Sequence, residues 1–191
     1  MDFLLTILVA LSAAVLYWPA LGNEIVFDDT SVLRAARPYM RGVPTAETYR
    51  WWHNPFTWSR SLLWLTYRYD ASVHGLRADL TVETRGWHAT NILLHALAAA
   101  LAYALLRSMF SQGPAFLGAL VFVAHPTATS SVGTIFGRSS VLCMVFYLAA
   151  LVAFQAGLWW LAILLGLGAW KSKEEALTLP ISAALMWWCA R

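Results

Sequence analysis

Charge is scarce in this 191-residue chain. Asp, Glu, Lys and Arg make up 12% of it, where a soluble domain carries about a quarter. That scarcity excludes an ordinary water-soluble globule. Cysteine is nearly absent as well. Cys143 and Cys189 both fall inside apolar segments, where a thiol behaves as a small hydrophobe, so no disulfide framework is expected. The formal charge of +3 is too modest to point to nucleic acid, and none is expected as a partner. The N-terminus lacks the basic n-region and the small-x-small cleavage site of a secretory leader, since Asp2 is its only early charge. The first apolar block therefore reads as a retained membrane helix. No repeat or low-complexity tract is present.

What the chain has instead is apolar surface in blocks. Hydrophobic residues reach 60%, and eleven tryptophans suit helix ends seated among lipid headgroups. The first block covers residues 3–21. A polar stretch follows at residues 22–86, with eight arginines, seven acidic residues and two histidines, and it cannot lie in hydrocarbon. Within it Trp58, Leu62, Leu65 and Tyr69 recur at steps of four, three and four. That is a helical stripe, read as an amphipathic helix on the membrane surface, with Trp51, Trp52, Trp58 and Trp64 as interface anchors. The second span covers residues 87–107. Four short apolar runs fill residues 115–191, broken at His125-Pro126, at Gly157 and at Lys171-Ser172-Lys173-Glu174-Glu175. A span needs about 20 residues, so some helices must continue into polar sequence that the protein buries.

Short turns make neighbouring helices antiparallel, which allows the two sides to be counted. With the Asp28 loop on one side, His125, Arg138 and Lys171 to Glu175 return to that same side. Only Asp2, Arg107 and Arg191 remain opposite. The long loop exceeds the reach of the positive-inside rule, about 60 residues. Arg107 and Arg191 then favour their own side as cytoplasmic, whereas Arg138, Lys171 and Lys173 argue the reverse. If the charged side is extracytoplasmic, those three cations ask for an anionic ligand.

Five motifs in register across nearly the whole chain resemble the N-terminal half of GT-C glycosyltransferases, closest to the O-mannosyltransferase-like branch that often carries TPR repeats. They are Val26-Phe27-Asp28-Asp29, Ser59-Arg60-Ser61-Leu62, His88-Ala89-Thr90-Asn91-Ile92-Leu93-Leu94-His95, Ala124-His125-Pro126 with Gly137-Arg138, and Ser172-Lys173-Glu174 with Ala176-Leu177-Thr178-Leu179-Pro180. Two of the four residues in the Ser59 segment differ from the family pattern. The resemblance implies transfer of a sugar from a polyprenyl-phosphate donor. It also implies that the chain is truncated, because relatives usually have about twice as many spans.

By that resemblance Asp28 and Asp29 are the catalytic candidates, as general base and as ligand of the acceptor or of a divalent metal. The bland reading is a solvated pair at a helix start. Arg60, Arg138 and Lys173 are candidates for the donor phosphate, and His88, His125 and Glu174 complete the substrate-binding set. Against this stands simple pairing of the cations with Asp70, Glu174 or lipid headgroups. His88, Asn91 and His95 share one helix stripe. His88 and His95 are about 10 Å apart along the axis, too far for one metal, and Asn91 and His95 are expected to bond between helices. Gly133-x-x-x-Gly137 reads as a close-packing pattern.

The expected fold is an all-α membrane bundle of about six spans, one domain over residues 1–191, with a surface helix in the first external loop. The expected setting is a bacterial inner membrane, with the Asp28 loop and the charged cluster extracytoplasmic. Membrane lipids, a polyprenyl-phosphate donor and other membrane chains are the expected partners. The competing reading is a non-catalytic subunit of a membrane complex. Its small residues, Ala96 to Ala100, Gly157, Gly166 and Gly168, would then pack against partner helices.

Overall fold

In the computed structural model the described residues are 2–26, 28–30, 33–34, 59–75 and 83–189, and none of them is in a strand. Helix α1 (Asp2–Leu16) runs into a 3-10 turn, Trp18–Gly22, with a proline in its first turn. After the polar stretch comes α2 (Ser61–His74). The bundle follows with α3 (Thr84–Met109), α4 (Gln112–Ala124), α5 (Pro126–Gly133), α6 (Arg138–Gln155) and α7 (Trp159–Trp170). A second 3-10 turn, Glu174–Thr178, leads into α8 (Leu179–Cys189).

Two helices, α3 and α6, are long and apolar enough to cross a membrane. At 1.5 Å per residue the 26 residues of α3 extend about 39 Å, more than a hydrocarbon core of about 30 Å. Helices α4 and α5 together form a third candidate bent by 53°, while α1 and α7 are shorter apolar helices. The described residues are thus those of a helical membrane protein.

The α4–α5 bend follows from Pro126. Proline has no backbone donor and keeps the preceding residue out of helical geometry, so His125 adopts an extended conformation with ψ 130°. Proline suits the first position of a new helix. The His125 ring caps that helix, its Nδ1 accepting from the Thr127 amide at 3.3 Å. The apolar run ends here in the sequence, twelve residues before Arg138. A second helix fills most of that interval. The α6–α7 turn is closed by Gly157 at φ +74°, a conformation glycine adopts without strain.

Helix α3 is the central post. It packs against α1, α4 and α6, and α6 carries α7 on its far side. The close approach depends on small residues: Ala96, Ala99, Ala115 and Ala119 join Val9 and Ala13 in one buried cluster, and Ala98 and Ala102 meet Val145 and Leu148 in another. Small side chains allow backbones to approach and gain dispersion contact. The alanines and glycines assigned to partner helices are therefore largely consumed inside the chain. Gly168 faces Phe146, and Gly166 faces Leu179. Gly137 sits against the Ser131 carbonyl, so the Gly133–Gly137 pair serves a tight corner instead of a helix crossing.

Helix α2 corrects part of the surface-helix expectation. Its buried residues are Leu63, Trp64, Tyr67 and Asp70, and Trp64 belongs to a core cluster with Trp87, Ile135 and Leu142. Trp64 therefore packs in the protein and does not anchor at a lipid interface. Leu65 and Tyr69 of the expected stripe are exposed, while Leu62 packs partly on that core. Trp51, Trp52, Trp58, Phe27 and Arg191 lie outside the described residues.

Candidate functional site

The helix order places the ends as the side count requires. At one end Asp2 accepts hydrogen bonds from Arg107 (2.9 Å), Tyr103 (3.1 Å) and Gln112 (3.2 Å), joining the starts of α1 and α4 to the end of α3. The other end carries Asp28, Asp29, Arg60, His88, His125, Arg138, Lys173 and Glu174.

The two aspartates part company. Asp29 is fully buried. Its Oδ1 accepts from the Phe136 amide at 2.7 Å and its Oδ2 from the Val26 amide at 3.3 Å, so it ties the segment after α1 to the α5–α6 corner. Asn23 adds a second tie, its Nδ2 donating to the Gly133 carbonyl at 2.9 Å. Asp28 is exposed. A carboxylate held by two backbone amides is an anchor, whereas an exposed neighbour is available to a substrate. Among the described residues no three His, Cys, Asp or Glu side chains converge as a metal ion requires. Asp29 is turned inward to backbone amides, so it offers its carboxylate to the fold.

Arg138 is enclosed. Neither it nor Asp70 has any solvent-exposed side chain, and the two form an ion pair. The guanidinium also donates through Nε to Asn91 Oδ1 (2.7 Å) and through Nη2 to the Trp87 carbonyl (2.8 Å). It lies 4.9 Å from the Tyr67 ring centroid, a cation–π distance. Asp70 also accepts from Thr90 at 2.9 Å, and Asn91 donates to the Thr134 carbonyl at 2.7 Å. This network pins α2, α3 and α6 together. Arg138 thus takes the pairing with Asp70 that competed with the phosphate role, and it is not presented to a ligand. Its partners were hard to foresee, although Leu63, Tyr67 and Asp70 stand at the steps of four and three that mark one helix face.

Arg60 also meets a protein partner. Its Nε and Nη2 clasp Glu174 at 3.0 and 2.6 Å, a bidentate fork. The guanidinium holds the Glu174 carboxyl below its usual range. Next to it the Leu62 amide donates to the Lys171 carbonyl at 3.1 Å. The start of α2 is thereby fastened to the α7–α8 connection. Lys173 donates to Ser140 Oγ on α6 at 2.9 Å and pairs with Glu175 at 2.6 Å. Burial around Tyr67 pushes its phenol well above the usual range, and its hydroxyl donates to the Ile135 carbonyl at 2.8 Å.

His88 is fully buried, close enough to Asp29 and Arg138 to feel both charges. His95 lies deeper, edge-on to Tyr17 at 5.0 Å and stacked with Phe122 at 5.7 Å, with Nε2 3.4 Å from the Val123 carbonyl. Asn91 and His95 thus bond between helices as expected. His125 stands apart at the α4–α5 bend, on the rim of a cleft that Ser140 also lines. The structure therefore joins Arg60 with Glu174 and Lys173 with Ser140, and it places Ser140 and His125 along the same cleft.

No family model matches the chain, and no solved structure matches it. Among curated proteins it is similar to protein O-mannosyl-transferases. Tmtc2 of Drosophila melanogaster is 30% identical over 91% of this chain and 20% of the relative. F38B6.6 of Caenorhabditis elegans is 28% identical over 95% of this chain and 27% of its own length. TMTC3 of Mus musculus is 27% identical over 78% of the chain and 16% of its own length. The chain is a distant relative of these proteins and spans roughly a fifth of the length of the relatives it matches.

Proposed function

We propose that the chain is a GT-C-type membrane glycosyltransferase module that works with a polyprenyl-phosphate-linked sugar. One observation carries this reading: the relationship to protein O-mannosyl-transferases runs along nine-tenths of the chain. The site geometry supports it by leaving Asp28 exposed on the charged face while Asp29 holds the surrounding segment in place. In the proposed reaction an acceptor hydroxyl attacks the anomeric carbon, the sugar–phosphate bond breaks, and the configuration inverts. Asp28 takes the hydroxyl proton as general base. The departing polyprenyl phosphate keeps the bonding electrons, and Lys173 stabilises its charge. Arg138 and Asp29 act behind these groups by fixing the backbone that carries them.

Six spans, built from α1, α3, the bent α4–α5 pair, α6, α7 and α8, with the Asp28 loop extracytoplasmic, belong to this proposal. Membrane lipids and further membrane chains are its partners. The test is transfer of labelled mannose from polyprenyl-phosphate-mannose to acceptor in membranes containing the full protein. Loss of transfer in Asp28→Asn at unchanged melting temperature supports the reading. Equal transfer in wild type and Asp28→Asn removes Asp28 as the base, and no transfer by wild type, or a stoichiometric complex that binds no such lipid, replaces the reading with the structural-subunit role.

A further inference from the structure

The corner between α5 and α6, residues 134–137, belongs to neither helix. Buried peptide groups need partners, and here side chains from three other parts of the fold supply them. The Gly133 carbonyl accepts from Asn23 at 2.9 Å, and the Thr134 carbonyl accepts from Asn91 of α3 at 2.7 Å. The Ile135 carbonyl accepts from the Tyr67 hydroxyl of α2 at 2.8 Å and from the Arg138 amide at 3.2 Å. The Phe136 amide donates to Asp29 Oδ1 at 2.7 Å. Tyr67, Ile135 and Asp29 are all fully buried, so water does not compete for these bonds.

Two of the bonds share one peptide unit. The Ile135 carbonyl and the Phe136 N–H are the two poles of a single planar group. Tyr67 donates to one pole while Asp29 accepts from the other, so phenol, peptide and carboxylate form one directed chain of hydrogen bonds. Bonds in such a chain polarise one another. Their geometry is coupled too, because tilting a rigid plane moves both poles. Little slack remains on the carboxylate side. Asp29 Oδ2 takes the Val26 amide at 3.3 Å, and the Asp29 amide donates to the Val26 carbonyl at 3.0 Å. Residues 26–29 are thereby a closed turn, and Asp28 is part of it. The exposed Asp28 inherits its place from the plane that Tyr67 grips.

We infer that Tyr67 is a positioning residue for Asp28, acting through the Ile135–Phe136 peptide unit, and that α2 is coupled to the Asp28 face by this route. The role of Asp28 as base rests on the transferase reading; the link from Tyr67 to Asp29 rests on the geometry alone. Tyr67 itself is set by α2, with its ring against Trp64, Trp87 and the Arg138 guanidinium. It touches no substrate and moves no proton in the reaction.

Ile-Phe occurs once in the sequence, so carbonyl-labelled isoleucine combined with amide-labelled phenylalanine marks this peptide alone by NMR of the chain in nanodiscs. Tyr67→Phe removes the hydroxyl and keeps the ring, and the Ile135 carbonyl retains the Arg138 amide. Tyr69→Phe, at an exposed position of the same helix, is the control. The expected result is an upfield move of the Phe136 amide proton in Tyr67→Phe and none in Tyr69→Phe. In the full protein kcat for transfer falls roughly tenfold in Tyr67→Phe, the scale of a misplaced reacting group, while KM for the lipid-linked donor is unchanged. In an Asp28→Asn background the same change lowers the residual rate no further. If Tyr67→Phe does not fold, 3-fluorotyrosine at position 67 keeps ring and hydroxyl as a stronger donor, and the resonance must move downfield. An unmoved resonance, or an equal loss of kcat with and without Asp28, overturns the inference. A moved resonance in a protein whose wild type transfers no sugar supports the link and removes the transferase reading. Transfer by wild type with an unmoved resonance keeps that reading and overturns the link.

Discussion

At the scale of single residues, Asp28 and Asp29 look equivalent in the chain and differ in the fold, and their variants should differ accordingly. Asp28→Asn should lower transfer roughly 100-fold or more, the contribution expected of a general base, while its melting temperature stays that of wild type. Asp29→Ala strands the Phe136 and Val26 amides and should cost about 1–3 kcal/mol for each amide left buried, read as lost thermal stability in detergent. Arg138 gives a stronger case. Asp70→Asn leaves a guanidinium charge buried without its counter-ion, at a cost of about 3–5 kcal/mol. The double change Asp70→Leu with Arg138→Met should restore much of that loss, because a buried ion pair replaced by apolar groups of similar volume is often neutral. A stable Asp70→Asn single variant would contradict the burial of the pair.

Among the elements, the α2 fastening is the one that acidity addresses. Arg60 depresses the folded-state value of Glu174, so the contribution is present above the ordinary glutamate range. It is lost as pH falls through that range and below it, where the folded-state carboxyl finally protonates. Hydrogen exchange at the Leu62 amide, which donates to Lys171, reports the release. Protection there should drop on acidification in wild type, after correction for the intrinsic exchange rate, and be low and flat with pH in Glu174→Gln. A drop of equal size in both would assign the pH response to another group. The helical nature of residues 61–74 was legible from the apolar spacing, but the choice of face was not. Both Leu65-Tyr69 and Leu63-Trp64-Tyr67 form stripes at helical spacing, and only the position of Trp87 and Ile135 across from them decides which one is buried.

For the whole molecule, the separation of the two ends is the property that topology labelling reads. Single cysteines at Gln112 and at Glu174, each in a Cys189→Ser background with Cys143 buried, should react with a membrane-impermeant maleimide from opposite sides. Reaction of both from one side would break the antiparallel count on which the charged face depends. The count itself was available from turn lengths, and the Asp2–Arg107 pair agrees with it from the other end of the bundle. Two spans follow from length and apolarity alone, with a third if the bent pair crosses.

The sequence by itself determined that this is a membrane chain of helices, and it raised the expectation that the ionisable groups gather at one end. Hydropathy and turn spacing are local, additive properties, and they survive any choice of packing. It also determined the break at His125-Pro126, because proline's missing donor acts on its own backbone whatever surrounds it. Only the tertiary structure decided which partner each cation takes. Arg60, Arg138 and Lys173 are alike as isolated charges. Their partners Glu174, Asp70 and Ser140 stand 114, 68 and 33 positions away, at distances where nothing local constrains the pairing. Burial then makes the pairing obligatory, because a charge taken out of water must find its counter-charge inside the fold.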